Sequence, residues 1–305
     1  MKKTRELSRR EFITRTAAVA GGILVSPTLA RAAAGGAVKR TATDQVALGK
    51  TGLKVSRLGF GTGSNNGQAL RALGKESFNT LIRYAYDHGI TSFDCAADYM
   101  TFDMLGDAIK GLPREKLFIQ SKIHRPRGEM DILQAIDKQR STYQTDYIDS
   151  LLIHQLTPDT DTFKSMMDAF NQAKDKKWIK AKGATVHTLP ALSAAVASDF
   201  PDVHLVRINP LGAFMDGQRD GWGRRGTEVA PVMAEIKKMR EKGRGVIGMK
   251  LFGNGSLADP AEREASVRFV MSQPEIDAVV IGFKSTAEID EAITRINAAL
   301  AAAPA

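Results

Sequence analysis

Eight short apolar runs, each followed by a stretch long enough for a helix, constrain this chain more than any other feature of its sequence. The runs lie near 57–61, 90–95, 116–122, 147–154, 179–185, 203–209, 244–250 and 277–282. The segments at 75–88, 103–110, 129–143, 160–177, 188–198, 228–242, 260–271 and 286–299 carry helical spacing. Strands alternating with helices in this way are βα units around a parallel sheet. Eight such units make an α/β fold of the (β/α)8 TIM-barrel type, for which about 250 residues is an ordinary single-domain length. The chain has 305 residues, 43% of them hydrophobic, enough for one large core. Ahead of the first run, Val46–Leu48 and Leu53–Ser56 flank Gly49-Lys50-Thr51-Gly52, which suits an N-terminal β-hairpin.

The first 32 residues stand outside this pattern. They run from a basic head through Ser8-Arg9-Arg10-Glu11-Phe12-Ile13 and a small, apolar stretch at 17–25 to Ala30-Arg31-Ala32. This resembles a twin-arginine (Tat) export signal cleaved after Ala32, which implies the Tat machinery as a partner and a periplasmic destination. The apolar stretch falls short of the roughly 20 residues that span a bilayer, so no stable membrane insertion is expected after cleavage. Residues 33–44 read as a mobile linker, 45–300 as the barrel and 301–305 as a tail. Residues 1–32 hold seven Lys or Arg and two Glu, so without them the net charge falls from +9 to +4. Little basic excess is left for a nucleic-acid partner. The single Cys95, inside a strand-like run, reads as a small buried hydrophobe.

Titratable residues close three consecutive runs. Asp94 ends the stretch Gly89-Ile-Thr-Ser-Phe-Asp94 with Tyr99 five positions on, Lys122 ends Lys116–Lys122, and His154 ends Tyr147–His154. In a parallel barrel the C-terminal strand ends converge on one face, so these four would meet there. Alone, each has a plain structural explanation: a helix cap, a loop residue, a buried histidine. Together they resemble the aldo-keto reductases, whose Asp, Tyr, Lys and His fall at the ends of consecutive strands with similar spacing. Leu48–Thr62 is similar to that family's entrance and Asp146–His154 to its His strand, and the resemblance runs from about Gln45 to Leu300. It implies a hairpin that closes the barrel bottom, and hydride transfer from NADPH or NADH to an aldehyde or ketone.

Hydride addition to a carbonyl leaves charge on oxygen, so the site needs a proton donor aimed at that oxygen and surroundings that stabilise it. Tyr99 is the candidate general acid. A free phenol titrates near pH 10, and a neighbouring cation, Lys122, is expected to lower that value. Asp94 would hold Lys122 in place, and His154 would donate to the substrate oxygen and orient it.

The resemblance also supplies cofactor positions, since the chain has no Gly-x-Gly-x-x-Gly fingerprint in a usable context. Gly61 and Thr62 match the first loop, Thr185 the nicotinamide-amide position and Asn209 the end of the sixth strand. Lys250, Leu251, Phe252 and Gly253 match a pyrophosphate loop, while Lys284 and Ser285 match the adenosine-ribose site. Glu288 stands where NADP-specific relatives often carry Arg, so the choice between NADPH and NADH stays open. The glycine- and arginine-rich segment 210–226 is read either as a lid or as a disordered crossover. Metal binding gains no support, because five His and one Cys show no ligand spacing and no His-Glu-x-x-His occurs. The rival to a reductase is a dinucleotide-binding regulatory protein of the same fold, whose bound dinucleotide would not respond to substrate.

Overall fold

Residues that alternate between strand and helix do close into one ring. The computed structural model describes residues 39–124, 131–155, 161–217 and 228–302. The export-signal segment 1–32, residues 33–38 of the expected linker and 218–226 of the glycine-rich loop lie outside the described residues. Eight strands, β3 (Leu58–Gly61), β4 (Ser92–Asp94), β5 (Phe118–Ile123), β6 (Ile148–His154), β7 (Ile179–Thr185), β8 (Val203–Arg207), β9 (Gly245–Met249) and β10 (Ala278–Ile281), form a closed barrel. Each pairs in parallel with its neighbours in chain order, and β10 returns to β3. This is the (β/α)8 barrel that the spacing predicts, as one domain.

Three helices follow from local chemistry as well as from pattern. Asp131 caps Ile132–Thr142 by accepting from the Gln134 backbone at 2.6 Å, with the Gln134 side chain returning the bond. Thr188 with Pro190, and Asp259 with Pro260, start the helices Leu189–Ala197 and Pro260–Met271 in the same manner. The helices press Phe78, Ile82, Phe170, Ile236, Val270 and Ile296 onto the outside of the barrel. Inside it, Phe118, Leu152, Ala181, Val203, Leu205 and Ile247 fill the lower layers, so this is a packed core and not a pore.

The hairpin β1 (Gln45–Ala47) and β2 (Lys54–Ser56) plugs the bottom, and its Leu48 and Val55 join the interior cluster. Gly49 makes the close approach: at φ 52°, a Cβ there would sit 2.4 Å from the Arg244 carbonyl carbon. Asp277 staples the hairpin to β9 by accepting from the backbone N–H of both Gly49 and Val246 at 3.0 Å, while its other oxygen takes Arg240 at 2.6 Å.

The reading of 33–44 as a linker needs correction at its end. Ala42 is fully buried, donates its N–H to Asn297 Oδ1 at 2.7 Å and accepts from Leu58 at 2.8 Å, so the barrel takes hold of the chain a few residues earlier. Among the described residues, no helix is long and apolar enough to cross a membrane.

Candidate active site

At the C-terminal end of β4, Asp94 meets the side chain that closes β5. Lys122 Nζ lies 2.7 and 2.6 Å from the two Asp94 oxygens and 2.9 Å from the Cys95 carbonyl, which uses all three ammonium donors. Both side chains are buried, and Gln120 adds a further bond to Asp94 Oδ1 at 2.9 Å. Burial opposes the lysine charge, but the Asp94 carboxylate outweighs it and holds the ammonium above its ordinary range. Cys95 beside them is buried and free, as a small apolar filler.

Past β4 the chain makes a single 3-10 turn, Ala97–Tyr99, closed by Met100 in the left-handed region at φ 53°. The turn lays the Tyr99 ring over Lys122, with Nζ 4.9 Å from the ring centroid. Gly63 backs the phenol: a Cβ there would fall 2.5 Å from two ring carbons and 2.8 Å from the hydroxyl oxygen, so only glycine leaves the ring its place. The His154 imidazole stands edge-on to Tyr99 at 5.8 Å between centroids. The four side chains read from the strand ends thus gather at one rim. One expectation reverses. Burial pushes the Tyr99 hydroxyl up, and although Lys122 pulls it down, the net direction is upward. The phenol is therefore held in its protonated form at neutral pH.

Three further groups at this rim leave no trace in sequence spacing. Asp98, next to Tyr99, places Oδ2 2.6 Å from His124 Nε2 and 3.2 Å from His154 Nδ1. The His124 and His154 rings stack at 4.3 Å, and His187 meets His154 edge-on at 6.1 Å. Burial alone would raise the Asp98 carboxyl, but the two imidazoles hold it far below the usual carboxylate range. Burial draws His154 down to about 4 despite Asp98, which acts the other way.

A cavity of about 1610 Å³ opens from these residues and runs across the rim to the last helix, Thr286–Ala302. Of the expected cofactor residues, Gly61, Thr185, Lys250, Leu251, Phe252 and Lys284 line it. The others do not. Thr62 is buried against β4, with its hydroxyl bonded to the Asp94 carbonyl at 3.1 Å. Asn209 spends its amide on the backbone: its Nδ2 donates to Ala213 and Lys250 carbonyls, and its Oδ1 accepts from Leu211 and Ala213. Gly253 turns inside a 3-10 segment, and Ser285 Oγ accepts from the Glu288 backbone at 3.3 Å. Each of these four is engaged with neighbouring backbone where a ligand contact was expected.

The remaining lining suits an extended, doubly anionic dinucleotide. Thr185 Oγ1 is buried without a hydrogen-bond partner on the cavity wall, a vacancy that an amide can fill. Burial, with Arg207 and Lys122 adding to it, lowers Lys250 to about 8, a cation that an anion would relieve. Lys284 continues the lining outward, where Arg263 and Arg295 are paired with Glu291, and Arg295 also with Glu264. Glu288 turns its carboxylate onto the Lys284 backbone N–H at 2.6 Å.

Comparison with known proteins agrees with the barrel. The sequence model of the Aldo/keto reductase family matches residues 57–267. An uncharacterized oxidoreductase of Schizosaccharomyces pombe is 30% identical over 172 residues, 52% of this chain and 49% of that protein. The NADP(+) glycerol 2-dehydrogenase of Hypocrea jecorina is 27% identical over 196 residues, 53% of this chain and 59% of that protein. The chain thus aligns with only about half the length of these curated relatives. Among solved structures, an aldo-keto reductase from Pseudomonas aeruginosa superposes with a TM-score of 0.67 at 22% identity, covering 86% of this chain and 98% of that one. The holo form of an aldo-keto reductase from Bacillus halodurans gives 0.66 at 18% identity, covering 87% and 93%. These last two likenesses speak to the fold, while the match over 57–267 and the strand-end residues speak to descent: the chain belongs to the aldo/keto reductase family, whose members are oxidoreductases.

Proposed function

We propose that the protein reduces an aldehyde or ketone by hydride transfer, with NADPH or NADH as donor and Tyr99 as general acid. The observation that carries this reading is the Lys122 ammonium held 2.6 Å from Asp94 and 4.9 Å from the Tyr99 ring centroid. A bound nicotinamide dinucleotide would supply the hydride, with Thr185 suited to its amide and Lys250 and Lys284 to its phosphates.

Tyr99, protonated at neutral pH, gives its hydroxyl proton to the carbonyl oxygen as negative charge develops there. The phenolate left behind lies beside an ammonium that Asp94 keeps charged, so the charge moves between two oxygens without ever losing its cation. Without Asp94, burial would favour the neutral amine and this stabilisation would fade. His154, edge-on to Tyr99 at 5.8 Å between ring centroids, would orient the substrate. Turnover is read from the nicotinamide absorbance of the mature protein with NADPH or NADH and a panel of aldehydes and ketones. Oxidation of cofactor dependent on carbonyl supports the reading; a dinucleotide that binds without responding to any carbonyl favours a regulatory binding role instead.

The N-terminal residues extend the proposal. Arg9 and Arg10 ahead of Phe12, with Ala30-Arg31-Ala32 as cleavage site, fit export through the Tat machinery to the periplasm, leaving a mature barrel whose held chain starts near Thr41. Replacing Arg9 and Arg10 by Lys should retain the precursor in the cytoplasm, and unchanged export would refute the assignment.

A further inference from the structure

Asp98 lies immediately before the candidate acid, and the reduction just described makes no use of it. Its side chain is 33% exposed and lines the cavity, with Oδ2 2.6 Å from His124 Nε2. No described residue hydrogen-bonds Oδ1, which leaves that oxygen open to a ligand. We propose that Asp98 is a specificity-determining residue: it makes the carbonyl end of the cavity take aldehydes and ketones that carry an ammonium group and turn away those that carry a carboxylate. The substrate class rests on the reductase reading above; the preference for cations in binding does not.

The case is one of uncancelled charge. Burial works against the Asp98 carboxylate, but the imidazoles of His124 and His154 outweigh it and keep the group ionised. Lys122, the ammonium nearest the acid, is taken up by Asp94 at 2.7 and 2.6 Å. His154 and His187 bring no compensating charge, because burial draws both imidazoles well below their ordinary range. Arg207 also lines the cavity, but it faces the buried carboxyl of Asp216 at 3.7 Å. Lys138 lines it from the helix Ile132–Thr142 and is exposed, so water and salt screen its charge. Lys250 and Lys284 belong to the part of the cavity that suits the phosphates of a dinucleotide. The cavity is thus polar from end to end, with lysines for the anionic cofactor and a carboxylate beside the acid.

A carbonyl that receives a proton from Tyr99 lies one residue away from Asp98. A charged substituent elsewhere on a small substrate therefore comes within several Å of the carboxylate, where attraction or repulsion is felt before the chemistry begins. An ammonium group can settle against the open Oδ1, whereas a carboxylate would set acceptor against acceptor. Because Asp98 is partly exposed, solvent weakens the effect, and about 10-fold is expected between ligands of opposite charge.

Two aldehydes test this. 4-Formyl-N,N,N-trimethylanilinium and 4-carboxybenzaldehyde carry opposite charges at the same place on one ring. The ratio of their kcat/KM values is compared between wild type and Asp98→Asn, so that the intrinsic reactivity of each aldehyde cancels. The ratio, cation over anion, should be about 10-fold higher in wild type. Asp98→Glu keeps the charge and should keep the preference, a rescue that a merely structural role would not produce. In wild type alone the ratio should fall as salt is raised, which needs no variant. Equal ratios in wild type and Asp98→Asn, or a wild-type ratio indifferent to salt, would overturn the proposal; a preference for the carboxylate would assign the site to Arg207 instead. If neither aldehyde is reduced, the reductase reading fails on its own, and calorimetry with benzyltrimethylammonium and benzoate decides the binding claim. The cation should bind more tightly to wild type than to Asp98→Asn, and benzoate less tightly. Equal binding to the two proteins, or no binding of the cation to wild type, contradicts it.

Discussion

Lys122 and Asp94 are the residues whose energetics bear most directly on the site. Both are buried and each is the other's main partner, so removing one leaves an uncompensated charge in the barrel. Lys122→Met should destabilise by about 3–5 kcal/mol in chemical denaturation, and adding Asp94→Asn should recover part of that loss. Gly63 offers a sharper test, because a Cβ there would overlap the Tyr99 ring and its hydroxyl. Gly63→Ala should cut kcat by 10-fold or more while the melting temperature moves little, the pattern of a displaced acid in an intact fold. Asp94, Lys122 and His154 were legible in the sequence because each falls at a strand end, where direction is fixed, and Tyr99 because its spacing from Asp94 resembles the family's. Asp98, His124 and His187 were not, because a loop residue's partners depend on how loops cross, and residue spacing carries no record of that. Thr62 and Asn209 show a related ambiguity: a polar residue after a strand can serve a ligand or the backbone around it, and here both side chains bond to backbone.

At the scale of elements, strand and helix positions were readable to within a few residues, since periodicity and capping act locally. What periodicity could not register were single turns. The 3-10 turn Ala97–Tyr99 and the helix Gln68–Arg71 are too short to show a repeat, yet the first of them positions the phenol. The hairpin at the bottom was readable from its glycines, but its anchor was not: Asp277 reaches it from 228 positions away along the chain. Asp277→Ala strands two backbone N–H groups and Arg240. It should cost roughly 2–4 kcal/mol in denaturant unfolding, on the usual price of unmade buried hydrogen bonds. Activity per folded molecule should be unchanged, because the hairpin lies at the end of the barrel opposite the cavity.

For the whole molecule, buried imidazoles set the response to acid. His204, fully buried, is drawn down to about 3 by burial and by Arg244, whose Nη1 donates to its Nε2 at 3.2 Å; His154 is drawn down to about 4. Unfolding restores their ordinary value near 6.5, so below that pH the unfolded chain binds protons that the native one refuses. Stability is therefore full above pH 6.5 and falls as pH drops toward 4 and below. His204→Gln should flatten that fall in denaturation curves taken across the range, and a slope identical to wild type would count against it. The central claim, that four residues from three strand ends form one proton-donating site, meets its most direct test in Tyr99→Phe assayed beside wild type by nicotinamide absorbance. The account predicts a loss of roughly 10² to 10⁴ in kcat with cofactor affinity retained; turnover equal to wild type would contradict it.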